Sequence, residues 1–209
     1  LEADVFITAR QSTLDKLQTQ GLVDVYSKTV ISRNRLSMVS YRENKLELIL
    51  IPKLPLANVL NRVDPGFTFT IGDPSFLNAG FYSMRALRNY EMANELEPHF
   101  LFVRSSVDMH RTIETPGGYG MLYYTEAIRN PKLKILGTFP AVSHSPIQYV
   151  GMVVAGEQMD AARRFLDYLG SAEAQAVFES LGFESLKAFK SDNGHLARGS
   201  TVSGSISPL

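Results

Sequence analysis

The residues able to do chemistry are few, and their spacing limits what they can do. The four histidines, His99, His110, His144 and His195, lie far apart, and none forms an i, i+4 pair or a metal-type spacing with another. There is no cysteine, which excludes disulfide scaffolds, thiolate metal sites and cysteine nucleophiles. No G-x-S-x-G elbow is present. Gly117-Gly118-Tyr119-Gly120 is glycine-rich, but it precedes a strand pattern and does not open a helix, so it reads as a helix-to-strand turn. What remains is three strand-to-helix junctions built from short polar residues: Asp73-Pro74-Ser75, Ser105-Ser106 and Thr125-Glu126-Ala127. Any one of them is explained as a plain helix cap. Three in one chain point to a shared cleft for an anion, because helix N-termini offer unpaired N–H groups beyond the carboxyl ends of strands. Asp73 and Glu126 are the only junction carboxylates and read as cap or turn residues, so no convergent acid/base pair supports an enzyme.

These junctions must be held by a fold, and the bulk composition allows one. The chain has 209 residues, 44% hydrophobic and 20% charged, enough to bury a sizeable core. Its 21 basic and 21 acidic residues cancel, which argues against a nucleic-acid partner. No apolar run is long enough to span a bilayer, so the chain is not expected to be membrane-embedded. It opens directly into Val5-Phe6-Ile7, a buried-strand pattern, so the chain is expected to be truncated.

Periodicity predicts strands at Val5–Ala9, Leu22–Ser32, Leu36–Tyr41, Leu46–Ile51, Phe67–Ile71, Phe100–Val103, Met121–Tyr124, Leu133–Phe139 and Ile147–Val154. It predicts helices at Leu14–Gln20, Leu56–Val63, Ala79–Leu96, Val107–Glu114, Met159–Leu169 and Ala172–Leu181. Strands and helices alternate, so the expectation is an α/β fold with mainly parallel, doubly wound sheets. From Lys190 onward Ser, Gly, Asn and Thr dominate, and 190–209 is expected to be a disordered tail.

In this order the residues resemble a known family. Ala3-Asp4-Val5-Phe6-Ile7-Thr8-Ala9, Ser32-Arg33-Asn34-Arg35-Leu36, Ile71-Gly72-Asp73-Pro74 with Ala79-Gly80-Phe81-Tyr82, and Tyr124-Thr125-Glu126-Ala127 come first. Gly137-Thr138-Phe139-Pro140, Ser143 to Tyr149, and Phe165-Leu166 leading to Ser171-Ala172-Glu173-Ala174-Gln175 and Gly182-Phe183 follow. Together they resemble the periplasmic molybdate-binding proteins of ABC importers. The resemblance implies the type II periplasmic-binding-protein fold: two doubly wound α/β lobes with a cleft between them, the first lobe incomplete. Lobe 1 would comprise 1–47 and 148–189, and lobe 2 would comprise 48–147. The hinge strands would lie near Leu46–Ile51 and Gly151–Val154.

The resemblance further implies a tetrahedral oxyanion, molybdate or tungstate, held by neutral donors and no cofactor. The donors would be the backbone near Arg104 and Ser105, the backbone of Ile128 and the hydroxyl of Tyr149. Cavity size would select against sulfate, and donors without acceptors would select against protonated phosphate. Arg10 and Arg104 lie near cleft positions where the family has small residues. The implied partners are the oxyanion and the membrane permease of an ABC importer, for a monomer outside the cytoplasm. Three alternatives stay open: a truncated or diverged binding protein without a ligand, an effector domain of a transcription regulator, and an enzyme on the same scaffold.

Overall fold

The computed structural model describes residues 3–184 and 186. The expected tail, 190–209, and positions 185 and 187–189 of the first-lobe assignment lie outside the described residues.

Two sheets organise the chain. The first has the order β1-β8-β2, formed by Val5–Thr8, Ile147–Val153 and Thr29–Asn34. β8 is central and antiparallel to both neighbours, with Thr8 opposite Val150 and Asn34 opposite Ile147. One face is covered by α1 (Gln11–Thr19), where Leu14 packs with Val23, Val150 and Met152. The other is covered by α7 (Met159–Leu169) and α8 (Ala172–Ser180), where Ala162 and Leu166 meet Ile31 and Val153. Alternation along β8 sends Val150 and Met152 to one face and Val153 to the other, as a period of two requires.

The second sheet has the order β5-β4-β6-β3-β7, from Phe100–Val103, Thr68–Gly72, Gly118–Tyr123, Leu36–Tyr41 and Leu133–Thr138. α2 (Leu56–Val63), α3 (Asn78–Asn89) and α4 (Ala93–Leu96) supply residues of the larger core. α5 (Ser106–Ile113) covers the opposite face through Met109 and Ile113. A single turn, α6 (Tyr124–Ala127), follows β6.

The two-lobe α/β architecture agrees with the sequence reading, and several details correct it. The first sheet is wholly antiparallel and the second mixed: β4 runs parallel to β5 and β6, while β3 is antiparallel to β6 and β7. Leu36–Tyr41 therefore belongs to the second sheet and not to the first lobe, which moves that boundary from 47 to the Asn34–Leu36 step. Leu36, Met38 and Val39 are fully buried, so their burial identifies a central strand but not its sheet.

Leu46–Ile51 forms no strand. One bond, from Leu48 N to Leu136 O (2.8 Å), attaches it beside β7. Leu46, Leu48 and Leu50 pack inward while Ile49 is 85% exposed, so alternation survives without a ladder. The chain instead crosses between sheets at Arg35 and over Phe139–Pro146, and β8 lies wholly in the first sheet; the expected hinge strands are replaced by these two crossings.

The helix expected over Ala79–Leu96 breaks at Glu91, whose φ is +56°. The Met92 N–H reaches back to Leu87 O (2.8 Å), satisfying an end carbonyl of α3. Gly118 and Gly120, read as a turn, lie inside β6. Gly117, with φ +78°, makes the turn. In α3, a Cβ on Gly80 would sit far inside van der Waals contact with the Gly72 carbonyl oxygen, so helix and strand approach as closely as backbones allow. The small residues after the Gly-Asp-Pro turn are scaffold.

Candidate functional site in the interlobe cleft

The site is built around Asn34, the last residue of β2 and 3% exposed. Its side-chain amide donates to Thr125 Oγ1 (2.9 Å) at the start of α6 and to the Tyr149 hydroxyl oxygen (3.4 Å) on β8. Its carbonyl accepts from the Arg35 N–H (2.9 Å). One amide thus joins the two lobes at the first crossing. Tyr149 accepts this bond and keeps its own O–H free to donate. Its ring meets Phe183 edge-on at 5.6 Å. Burial pushes the Tyr149 phenol up from its ordinary pKa, with Asn34 opposing, so it remains protonated at neutral pH.

Tyr123, at the end of β6, adds a second phenol. Its hydroxyl is buried with no hydrogen-bond partner, and the residue is 8% exposed. Burial drives its pKa far upward; the neighbouring Tyr149, Tyr82 and Glu126 add to the effect and Arg10 opposes it. Burial also raises the Glu126 carboxyl, against the opposing influence of His110.

Arg104 and Ser105 stand before α5. The Arg104 side chain is turned away: its Nε bonds Asp73 Oδ2 (3.3 Å), and its guanidinium lies 4.4 Å from the Phe76 ring centroid. The Ser75 amide, then Arg104, hold the Asp73 carboxyl below its ordinary value. Ser105 caps α5, its hydroxyl accepting from the Asp108 N–H (3.2 Å). The first N–H groups of this helix have no intrahelical carbonyl to reach. The Ile128 N–H is committed: it donates to Tyr124 O (3.0 Å) and closes α6. This differs from the backbone donor expected at Ile128, because a one-turn helix has few carbonyls and uses this amide to close.

Ser106, Thr125, Glu126 and Phe183 line one cavity of about 500 Å³. That cavity gathers the start of α5, the start of α6 and Phe183, while Tyr123, Tyr149, Arg104 and Ser105 do not line it. Sequence reasoning missed Asn34 and Tyr123 as site residues. Asn34 lay inside the Ser32–Leu36 step, and Tyr123 lay inside the expected strand Met121–Tyr124. Across the other side, Tyr82 OH donates to Ala9 O (3.0 Å), and Arg10 donates from Nε to Asn78 Oδ1 (2.9 Å) and from Nη2 to Pro74 O (3.3 Å). Among the described residues no group of three or more His, Cys, Asp or Glu could hold a metal ion, and no helix is long and apolar enough to cross a membrane.

Two sheets joined by two crossings, with neutral donors in the gap, define a solute-binding architecture. The model of the bacterial extracellular solute-binding protein family matches residues 1–184, and the chain belongs to that family. The molybdate-binding protein ModA of Escherichia coli strain K12 is 27% identical over 185 residues, covering 87% of this chain and 70% of that protein. The Azotobacter vinelandii periplasmic molybdate-binding protein superposes with a TM-score of 0.66 at 18% identity, over 88% of this chain and 79% of that one. The sulfate-binding protein SubI from Mycobacterium tuberculosis H37Rv gives 0.67 at 17% identity, over 95% and 75%.

Proposed function

We propose that this chain captures a tetrahedral oxyanion, molybdate or tungstate, in the interlobe cleft outside the cytoplasm. As a monomer it would deliver the anion to the membrane permease of an ABC importer and perform no chemistry on it. The reading is carried by the buried, unpartnered Tyr123 hydroxyl, together with a Tyr149 phenol that accepts from Asn34 and whose own proton is unspent. A buried hydroxyl without a partner costs free energy, and an anion that accepts from both phenols repays it. The first turn of α5 adds backbone donors and a partial positive charge. Ser105 serves through its backbone, since its hydroxyl is the cap, and Arg104 contributes main chain only. Ile128 provides wall instead of a donor. The names of the similar proteins support an oxyanion as ligand. Calorimetric titration of the chain with molybdate, tungstate, sulfate and phosphate tests the reading: binding of the first two is expected, and no heat with any of the four overturns it.

A further inference from the structure

A chamber of about 450 Å³ opens at the edge of the cleft away from α5 and α6. Its walls are residues 9–12 of the first lobe, the start of α3, and Ser145 with Pro146 of the second crossing. It shares no lining residue with the cavity beside Tyr149's neighbour Phe183.

Two guanidiniums line it, one from each lobe. Arg10 is half-buried and bonds only neutral oxygens, those of Asn78 and Pro74, leaving three of its five donors unspent. Arg85 is exposed, 5.7 Å from the Phe81 ring centroid. Among the described residues neither makes an ion pair, a property they share with Arg42, Arg62, Arg88, Arg129 and Arg164; what sets these two apart is that they line one chamber. Two cations from different lobes thus line one chamber whose wall carries no carboxylate.

The rest of the wall joins a carbon side, made by Ala9, Phe81, the Tyr82 ring and Pro146, to the polar Gln11, Ser12, Asn78 and Ser145. Tyr82 offers its ring and not a donor, because its hydroxyl is given to Ala9 O. An inorganic oxyanion needs donors on most sides to offset lost hydration, and it would leave the carbon side of this wall uncovered. The volume equals that of roughly fifteen liquid waters, which leaves room for a carbon skeleton. Apolar walls with a few convergent polar groups are the pattern of sites for organic ligands. Guanidiniums match carboxylate and phosphate oxygens in a forked geometry.

We propose that this chamber binds a small organic anion with two acidic groups, carboxylate or phosphate, on a short carbon skeleton. Arg10 and Arg85 hold the acidic groups, and Phe81, Tyr82 and Pro146 cover the carbon. Because the two cations belong to different lobes, such a ligand favours the lobes in contact. The proposal stands apart from the oxyanion reading, and either can fail alone.

The test is calorimetry on the 209-residue chain with succinate and with 2-phosphoglycolate at millimolar concentration, beside molybdate. At least one probe is expected to bind, and which one binds separates a dicarboxylate from a phosphate source. R85Q and R10Q are each expected to weaken that binding about tenfold or more, through lost charge-assisted hydrogen bonds. R85Q is expected to leave the melting temperature and molybdate titration unchanged, and it decides the case if R10Q fails to fold. No heat from either probe overturns the proposal. So does binding that survives R85Q unweakened, or probe binding abolished by saturating molybdate, which would put the probe in the central cleft.

Discussion

Replacing Tyr149 with phenylalanine removes one oxygen and leaves the ring that packs on Phe183. Without ligand, that oxygen receives a single long bond, 3.4 Å from Asn34, whose amide keeps its shorter bond to Thr125 at 2.9 Å. The unliganded protein should therefore lose less than about 1 kcal/mol, the scale of one ordinary hydrogen bond. A phenol donating to a buried oxyanion is worth more, about 1.5–3 kcal/mol. The dissociation constant for molybdate should rise about 10- to 150-fold. Thermal-shift titration reads both quantities. At a ligand concentration about a thousandfold above the wild-type Kd, binding stabilises the fold by about 4 kcal/mol, and the variant should keep about 1–2.5 kcal/mol of it. An affinity within about threefold of wild type would refute a role for this hydroxyl in binding. So would a fall in the unliganded melting temperature that accounts for the whole effect.

Glu126 has a folded pKa raised by burial, so the folded chain carries a desolvation cost that appears as pH rises through and above the ordinary carboxylate range. E126Q should raise the melting temperature at neutral pH, with the gain vanishing on acidification; equal gains at all pH values would contradict this. His144 is depressed by burial, against the Ser145 carbonyl and Glu184, so its stability is present above about pH 6.5 and is lost as pH falls toward the folded value. H144Q should flatten the decline in urea midpoint over that acidic window. G80A should destabilise by about 1–3 kcal/mol or more, since the added methyl has no space against Gly72, and a urea midpoint equal to wild type would disprove the close packing.

The sequence revealed more about elements than about their partners. The helices at 56–63, 159–169 and 172–180 and the strands at 68–72, 100–103 and 133–138 follow local periodicity and were legible within a few residues. Leu36–Tyr41 was legible as a strand, but nothing in six residues says that it pairs with 118–123 and 133–138, because those contacts are not local. Leu46–Ile51 alternates like a strand yet runs at an edge with one ladder bond. At the candidate site, Tyr149 was singled out through the motif around it, and its contacts are with Asn34 and Phe183. Tyr123 was not, because an orphaned hydroxyl is a property of what surrounds it in space. The Ile128 N–H closes the single turn of α6, and which amides so short a helix leaves free is not written in its sequence.

The two crossings also govern the order of assembly. Every strand of the second sheet lies between Leu36 and Thr138, so that lobe forms from a continuous run of chain. The first sheet does not: β1 and β2 pair with nothing but β8 among the described strands, and Asn34 meets Ile147. Bringing them together in an unfolded chain closes a loop of roughly a hundred residues, an entropic cost that slows folding. Once the second lobe has folded, its two ends already stand side by side and that cost falls away. Among the described strands, β1 and β2 therefore wait during synthesis until β8 arrives. A cut or a destabilising change in β8 dissolves the first lobe and spares the second, leaving half a binding protein that still looks folded.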